Sequence, residues 1–579
     1  MTCTPNQLTP SSGSYIDWTD YFDISTVIRE VNDLIDDLIL EIHGKRLKIH
    51  AALSVQELAL IYRFPVHVGA NIFIERLFRV AYSREMNWFQ SYPEVSYVDR
   101  YFKYTDEAIA AYYTDFDLNK KLLHQIFIIL GGPSRHEGMR LPKAATSQHS
   151  FPCATKSMSE KAKEILKSLA ESYVEISTPE VVGEYSNWMR EILPFSKMHR
   201  FEFPVRQYPV DENARQQIRD CCRHVFRRRI GEFPIRLEKQ QIPALEKLFA
   251  GLIDRILPQS VVEGLTERFT FFEKKIAGWN VKQVHSFIGY YYKENFKIFA
   301  ILARRRGSLL IGFAHGASNP ICTYKQSRNE LAFLDIYFTW GKNDSSWMKG
   351  NLKQERLKMV DSGSTYLSTI TKWKKTRIDP ENVSILFPSG PLMDFMGDLQ
   401  EITPEVNYQN RLNVILLFKK LWESYPKLKV LYKPFPGTYT NDPARSLFEE
   451  EFKRGSVELI QEKPSTLYEA VDIVLWDTIS TGFCESISSG VPTLVFQSRS
   501  EYDQAVPLGK SLDEALTACG MLFYDVDTGI KSFQRIINEL DSFLQGRIEA
   551  VRKFQEATAY PITKQEFLAS LHEALQKGS

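Results

Sequence analysis

Two rhythms of apolar and polar positions run along this chain, and the change between them divides it. From about Tyr15 to Asn119 apolar residues recur at helical spacing, as in DISTVIREVNDLIDDLILEI from Asp23, and strand-like alternation is scarce. The same spacing returns over Ser159 to Tyr173 and Val210 to Phe226. Between these stretches, Ile126 to Gly131, IFIILG, predicts one buried strand and Arg135 to Lys156 a long loop, and no internal repeat is present.

From about Val281 short apolar runs alternate with helical stretches. His285 to Gly307 predicts a helix, and strands follow over Ser308 to Phe313 and Leu334 to Trp340. Beyond a polar linker, WKKTRIDPEN, a fresh series begins, with strands predicted at Val383, Leu428, Val457, Ile473, Pro492 and Leu522. The helices between them span Tyr408 to Glu423, a segment capped by Asn441 or Asp442 and closed by Gly455, a short helix begun by a capping box from Thr466 to Glu469, and Phe483 to Ser489 before Gly490. Strands separated by helices of about ten residues call for a parallel sheet covered on both faces. Ligands on such sheets sit at the carboxyl ends of the strands, where His315, Ser389, Lys433, Asp477 and Ser480 all fall.

At 579 residues the chain is too long for one core. The expected division is 1–375, 376–545 and a set of helices over 546–579 placed to pack back on the first unit. Lys plus Arg at 72 against Asp plus Glu at 71 argues against a nucleic-acid partner, so any anion binding is local. The 7 scattered cysteines lack CxxC spacing and fit a reduced compartment. No apolar run approaches the roughly 20 residues of a membrane span. The location expected is cytoplasmic, with peripheral contact at the inner face of the plasma membrane left open. The basic helix RDCCRHVFRRR from Arg219 either approaches an anionic surface or is a solvated face. DFD at Asp115 and DVD at Asp525 have a two-aspartate metal spacing without a nucleotide-binding context, and P-loop, GxGxxG, HExxH and GxSxG patterns are absent.

Three constellations and one loop carry chemistry. In FAHGASNP, His315 follows an apolar strand and Gly316 leaves room for a substrate beside it. The imidazole there acts as a base or as donor to a leaving phosphate, or else caps the strand end. In ELAFLDIYFTWG, Glu330 is a catalytic base or a surface carboxylate. In YKPFPGTY, Lys433 is held extended by Pro434 and offers an ammonium to a phosphate or carboxylate, or to solvent. The strand Ile473 to Trp476 stops at Asp477, and in the loop that follows Ser480, Thr481 and Gly482 lead into a helix whose N-terminus attracts an anion. Glu485, one turn in, is placed for sugar hydroxyls rather than for the phosphate.

The order of HGAS, ELAFLDIYFTWG, KPFPGTY and DTISTGFCESISSGVP resembles the GT-B glycosyltransferases of bacterial surface polysaccharides, more closely a transferase family of O-antigen loci. It also shares motif logic with capsule transferases for Kdo and sialic-acid-like sugars. The likeness covers roughly Ile276 to Gln497. It implies an α/β, GT-B-like fold of two Rossmann-like domains facing a cleft, with a helical N-terminal elaboration. It further implies a nucleotide-sugar donor held by the C-terminal half, a glycan or lipid-linked glycan acceptor on the N-terminal half, and no obligatory metal or other cofactor. By position, Lys433 and the Ser480–Thr481 loop would hold donor phosphate, Glu485 a ribose or sugar hydroxyl, and His315 the reacting centre, with Gly316, Ser389, Pro434, Asp477 and Gly482 also among the donor-binding residues. Two departures matter: HGG has become HGA, and Phe435 stands where the sialyl-type enzymes carry a histidine that contacts CMP. The expected activity is sugar transfer to a surface-glycan precursor, with a CMP-linked ulosonic acid favoured over UDP- or GDP-sugars. A sugar-nucleotide epimerase or hydrolase, and a non-catalytic glycan-binding scaffold, are the alternatives.

Overall fold

The computed structural model describes residues 24–45, 47, 52–82, 122, 123, 125, 126, 128–130, 173–178, 181–184, 197–200, 208–314, 316, 331, 333–342, 356–390, 404–435, 448–499 and 507–576. In the first part the described residues are mostly helical, as the apolar spacing predicts. α1 (Ile24–Gly44) turns its apolar stripe, Val27, Val31, Leu34, Ile35 and Leu38, into the core. α2 (Val55–Tyr82) is buried on every side from Leu60 to Val80. It nevertheless carries Arg63, His67, Asn71, Glu75 and Arg79 at four-residue intervals, a polar stripe that burial obliges to find partners. Arg63 reaches Asp36 of α1, and Glu75 accepts from Arg79 at 2.8 Å.

α3 (Glu212–Arg229) and α4 (Ile242–Ile256) complete the packing around α2. The arginines of α3 pair within the protein: Arg219 with Asp254, Arg223 with Asp220, Arg227 with Glu246, and Arg228 and Arg229 with Asp37. Such pairing spends the charge that a membrane-facing helix would present. IFIILG is not a strand: its described residues Ile126, Ile128 and Ile129 are helical, and Leu130 N donates to Ile126 O at 3.0 Å. A short, continuous apolar run does not separate helix from strand by period.

The first sheet runs in the order β3-β1-β2-β4-β5-β6-β7. Its strands are β1 (Tyr173–Thr178), β2 (Val181–Glu184), β3 (Lys197–Arg200), β4 (Gln283–Ser286), β5 (Leu309–Phe313), β6 (Ile336–Thr339) and β7 (Lys358–Asp361). β1 pairs antiparallel with β2 and β3, and the pairings from β2 to β7 are parallel. The predicted helix from His285 therefore starts late. Its first residues belong to β4, and α5 (Glu294–Arg305) carries the helical part, closed by Gly307 at φ 89°. From β7 the chain makes a short helix, α6 (Thr365–Ser368), and a linker to the second sheet.

That sheet is wholly parallel and contains β8 (Ser384–Pro388), β9 (Lys429–Lys433), β10 (Val457–Leu459), β11 (Ile473–Trp476), β12 (Thr493–Phe496) and β13 (Leu522–Phe523). Its order, β10-β9-β8-β11-β12-β13, is that of a dinucleotide-binding fold, the chain winding outward from β8 and then from β11. Helices α7 (Pro404–Ser424), α8 (Thr481–Ser489) and α9 (Pro507–Ala518) connect its strands, and α10 (Val526–Asn538) follows the last of them and packs on α7. The expected capping-box helix at Thr466 is instead a single 3-10 turn, Pro464–Thr466. Asp525 of the DVD pattern caps α10 by accepting from Thr528 N at 2.8 Å.

After α11 (Ile548–Thr558) the chain returns to the first sheet. Lys342 N donates to Glu556 O, Tyr560 N to Trp340 O, Ser364 N to Tyr560 O and Ile562 N to Ser364 O. α12 (Lys564–Gln576) then lays Phe567, Leu571 and Ala574 on Phe313 and Phe338 of that sheet. One mixed and one wholly parallel α/β sheet, with the final helix swapped back onto the first, make the molecule α/β and GT-B-like. No helix among the described residues is long and apolar enough to cross a membrane.

Candidate functional site

In the second sheet the direction of winding reverses between β8 and β11, which opens a crevice beyond their carboxyl ends. Ser389 and Gly390 leave β8 on one side of it, and Asp477 to Thr481 leave β11 on the other. Gly390 N donates to Asp477 Oδ1 at 2.7 Å, so a bond bridges the crevice floor. Asp477 Oδ2 accepts from Arg411 Nε at 2.6 Å, and Arg411 Nη2 returns to Gly390 O at 2.8 Å. The pair is buried, at 4% and 1% exposure. Asp477, expected among the donor contacts, thus spends both oxygens on the protein and acts as a strut between the two loops. Arg411 is a participant the sequence reading missed. Its signal is a charge in the buried helical register of α7, between Val406 and Val414.

Ser389 is buried, and its N–H and hydroxyl both donate to Lys433 O, at 3.0 and 3.4 Å. That fixes the end of β9 against the end of β8. The Lys433 ammonium donates to Gln461 O at 2.9 Å, beyond β10. Since β8 lies between β9 and β11, this side chain leans away from the Ser480 loop. Pro434 is half-buried behind it, and Phe435 is 43% exposed at the strand end.

α8 begins at Thr481 with Ser480 as its extended N-cap, φ −143° and ψ −176°. The Ser480 hydroxyl caps none of the first-turn N–H groups, which keeps that end of the helix available to an anion. Gly482 is required here by packing: a Cβ would stand 2.2 Å from Cη2 of Trp476, whose Nε1 donates to Ser486 Oγ at 3.2 Å. At the other end Gly490 takes φ +88°, and the buried Arg547 donates to Gly490 O and Val491 O. A guanidinium at the carbonyl end complements the helix dipole.

From the first unit, Gly316 comes to this helix start, where a Cβ on it would lie 2.7 Å from Thr481 Oγ1. The loop after β5 and the loop after β11 therefore meet, and the two units face each other across the crevice. His315 and Glu330 themselves lie outside the described residues.

Glu485 sits one turn into α8, at the junction with α6 and the Pro464–Thr466 turn. It accepts from Tyr366 OH at 3.0 Å. Burial raises its pKa, opposed by the Tyr366 hydrogen bond, the Lys463 charge and the Tyr468 hydrogen bond. The Tyr366 phenol is pushed up to about 12 by burial and the Glu485 charge, and Tyr468 is raised further, chiefly by burial. Tyr468 also donates to Gly482 O at 3.3 Å. Neither tyrosine was singled out in the sequence.

A sequence model of the LIC12162 family of transferases matches residues 67–542. No curated protein matches the chain in sequence. Among solved structures, the chain is similar to S. aureus MnaA in complex with UDP, at 13% identity over 54% of this chain and 79% of that one, with a TM-score of 0.34. UDP-GlcNAc 2-epimerase from Neisseria meningitidis bound to UDP-GlcNAc gives 13%, 54%, 81% and 0.34 for the same measures. Acinetobacter baumannii MurG gives 14%, 53%, 76% and 0.31.

Proposed function

We propose that this chain, which belongs to the LIC12162 family of transferases, is a glycosyltransferase that moves a sugar from a nucleotide donor to a glycan precursor. One observation carries the reading: the N-terminus of α8 opens into the crevice between β8 and β11, and Gly316 of the facing unit meets it there. A helix start whose N-cap hydroxyl makes no capping hydrogen bond suits a phosphate, and the facing unit brings the residue after His315 to that point.

In this scheme Ser480, Thr481 and Gly482 receive the donor phosphate, Ser389 and Asp477 hold the loops that frame it, and Glu485 takes a ribose or sugar hydroxyl. Lys433 adds its charge by exchanging the Gln461 carbonyl for the donor. His315, with Glu330 as the second acid or base, serves the reacting carbon, and no metal is assigned a part. The finer reading is a CMP-activated ulosonic acid such as Kdo or a sialic-acid-like sugar, passed to a lipid-linked or free precursor of O-antigen, lipopolysaccharide or capsule at the inner face of the membrane. The motif order supports it, while Phe435 in place of a CMP-contacting histidine favours UDP or GDP. Membership in a transferase family stands against the epimerase alternative.

Thermal melts with CMP, UDP, GDP and CDP identify the base, since a ligand at 100 times its dissociation constant stabilises by about 2.7 kcal/mol. Transfer from the matching nucleotide-sugars is then measured with and without a glycan acceptor. His315→Ala is expected to lower turnover about 100-fold or more, the scale of a positioned acid or base. Absence of transfer across the whole panel sinks the proposal, and isomerised sugar formed without acceptor replaces it with the epimerase.

A further inference from the structure

The linker between the two sheets grips α8 along its length. Tyr366 OH donates to Glu485, Lys372 Nζ to Ser488 O at 2.6 Å, and Trp373 N to Ser489 O at 2.9 Å. The linker residue nearest the crevice is therefore bonded to the side chain assigned to a donor hydroxyl, and the residues after it are bonded to the backbone of the same helix.

We propose that Tyr366 is a positioning residue for donor recognition: its hydroxyl fixes the carboxylate of Glu485 and so ties the donor site to the linker between the two units. The inference rests on the reading that Glu485 receives a donor hydroxyl. A carboxylate one turn into a helix has free rotation about its side-chain bonds, and a 3.0 Å hydrogen bond from a half-buried phenol restricts that rotation. Burial raises the pKa of this carboxylate, and the same bond works in the opposite direction. The groups facing Glu485 are Tyr366 from α6, Tyr468 and Lys463 from the two sides of the Pro464–Thr466 turn, and its own neighbour Cys484. Lys463 and the two hydroxyls favour the charged form, and burial opposes it. Removing one hydroxyl shifts that balance toward the proton.

The test is the pH dependence of donor affinity in the full-length protein, measured as KM or as a dissociation constant for the nucleotide found in the melt screen. Glu485→Gln is expected to weaken donor binding at neutral pH. Tyr366→Phe is expected to raise donor KM about tenfold with kcat at saturating donor unchanged, and to move the acid limb of binding to higher pH. In the Glu485→Gln background Tyr366→Phe is expected to add nothing. Ser465→Ala, which strips Tyr366 of its second hydroxyl partner, gives a smaller shift of the same sign should Tyr366→Phe fold poorly. Unchanged donor affinity in Glu485→Gln overturns the hydroxyl-binding reading and the proposal with it. Weakened affinity in Glu485→Gln, but additive loss or an unmoved acid limb in Tyr366→Phe, overturns the positioning role alone.

Discussion

At the scale of single residues, the fold tolerates one carboxylate at a measurable cost. Asp513 on α9 is 1% exposed, and neither of its oxygens has a hydrogen-bond partner among the described residues. Burial, with the Glu514 charge beside it, pushes its pKa up to about 7. Below about pH 4 the group is protonated in both folded and unfolded chains and costs no charge burial. Between there and pH 7 the unfolded chain releases the proton while the folded one keeps it, so stability falls with rising pH, and the loss is complete above pH 7. Asp513→Asn removes this slope. Urea unfolding at pH 5 and pH 8 is expected to show the substituted protein gaining on the parent by about 2–3 kcal/mol between the two values. The contrast with Asp477 is instructive: that carboxylate is as deeply buried but holds Arg411 and Gly390 N, so it organises a site where Asp513 only burdens one.

Among the elements, α8 concentrates the constraints. Gly482→Ala places a methyl group against Trp476, and the helix start or the ring has to move. The expected result is a loss of about 1–3 kcal/mol of stability together with weaker nucleotide binding, read by thermal melts with and without ligand. This loop was legible in the sequence because a strand, hydroxyl residues, a glycine and a C-terminal Gly490 stand in the order that chemistry demands. The strands β5, β6 and β8 to β13 were legible for a similar reason, since each is an apolar run bounded by polar turns. β7 was not: at the sheet edge it reads KMVD, half-polar, with Asp361 exposed. β4 merged with the apolar text of the following helix, since Gly289 is the one turn residue in the otherwise aromatic and apolar stretch from Phe287 to Tyr292. Arg411, Tyr366 and Tyr468 escaped because their partners lie 66, 119 and 14 residues away, in elements that only the tertiary fold brings together.

In the whole molecule, the return of α12 to the first sheet makes the C-terminal residues part of the N-terminal core. Phe567 packs 6.0 Å from Phe313 and 5.9 Å from Phe338, centroid to centroid. Truncation after Ile562 uncovers these rings and removes Phe567 and Leu571, each worth about 1.5–3 kcal/mol when buried. The truncated chain is expected to melt lower and to bind a dye for exposed apolar surface, while nucleotide binding to the second sheet survives if that unit stays folded.

The two passages of chain between the units lie side by side. Gly363, at φ +71°, packs on Tyr560 and Ile562, and Ser364 bridges to Pro561. Because the two straps are bonded to each other, neither can be lengthened, cut or bent without straining the other, and a change in either bears on the seat of Gly316 against Thr481.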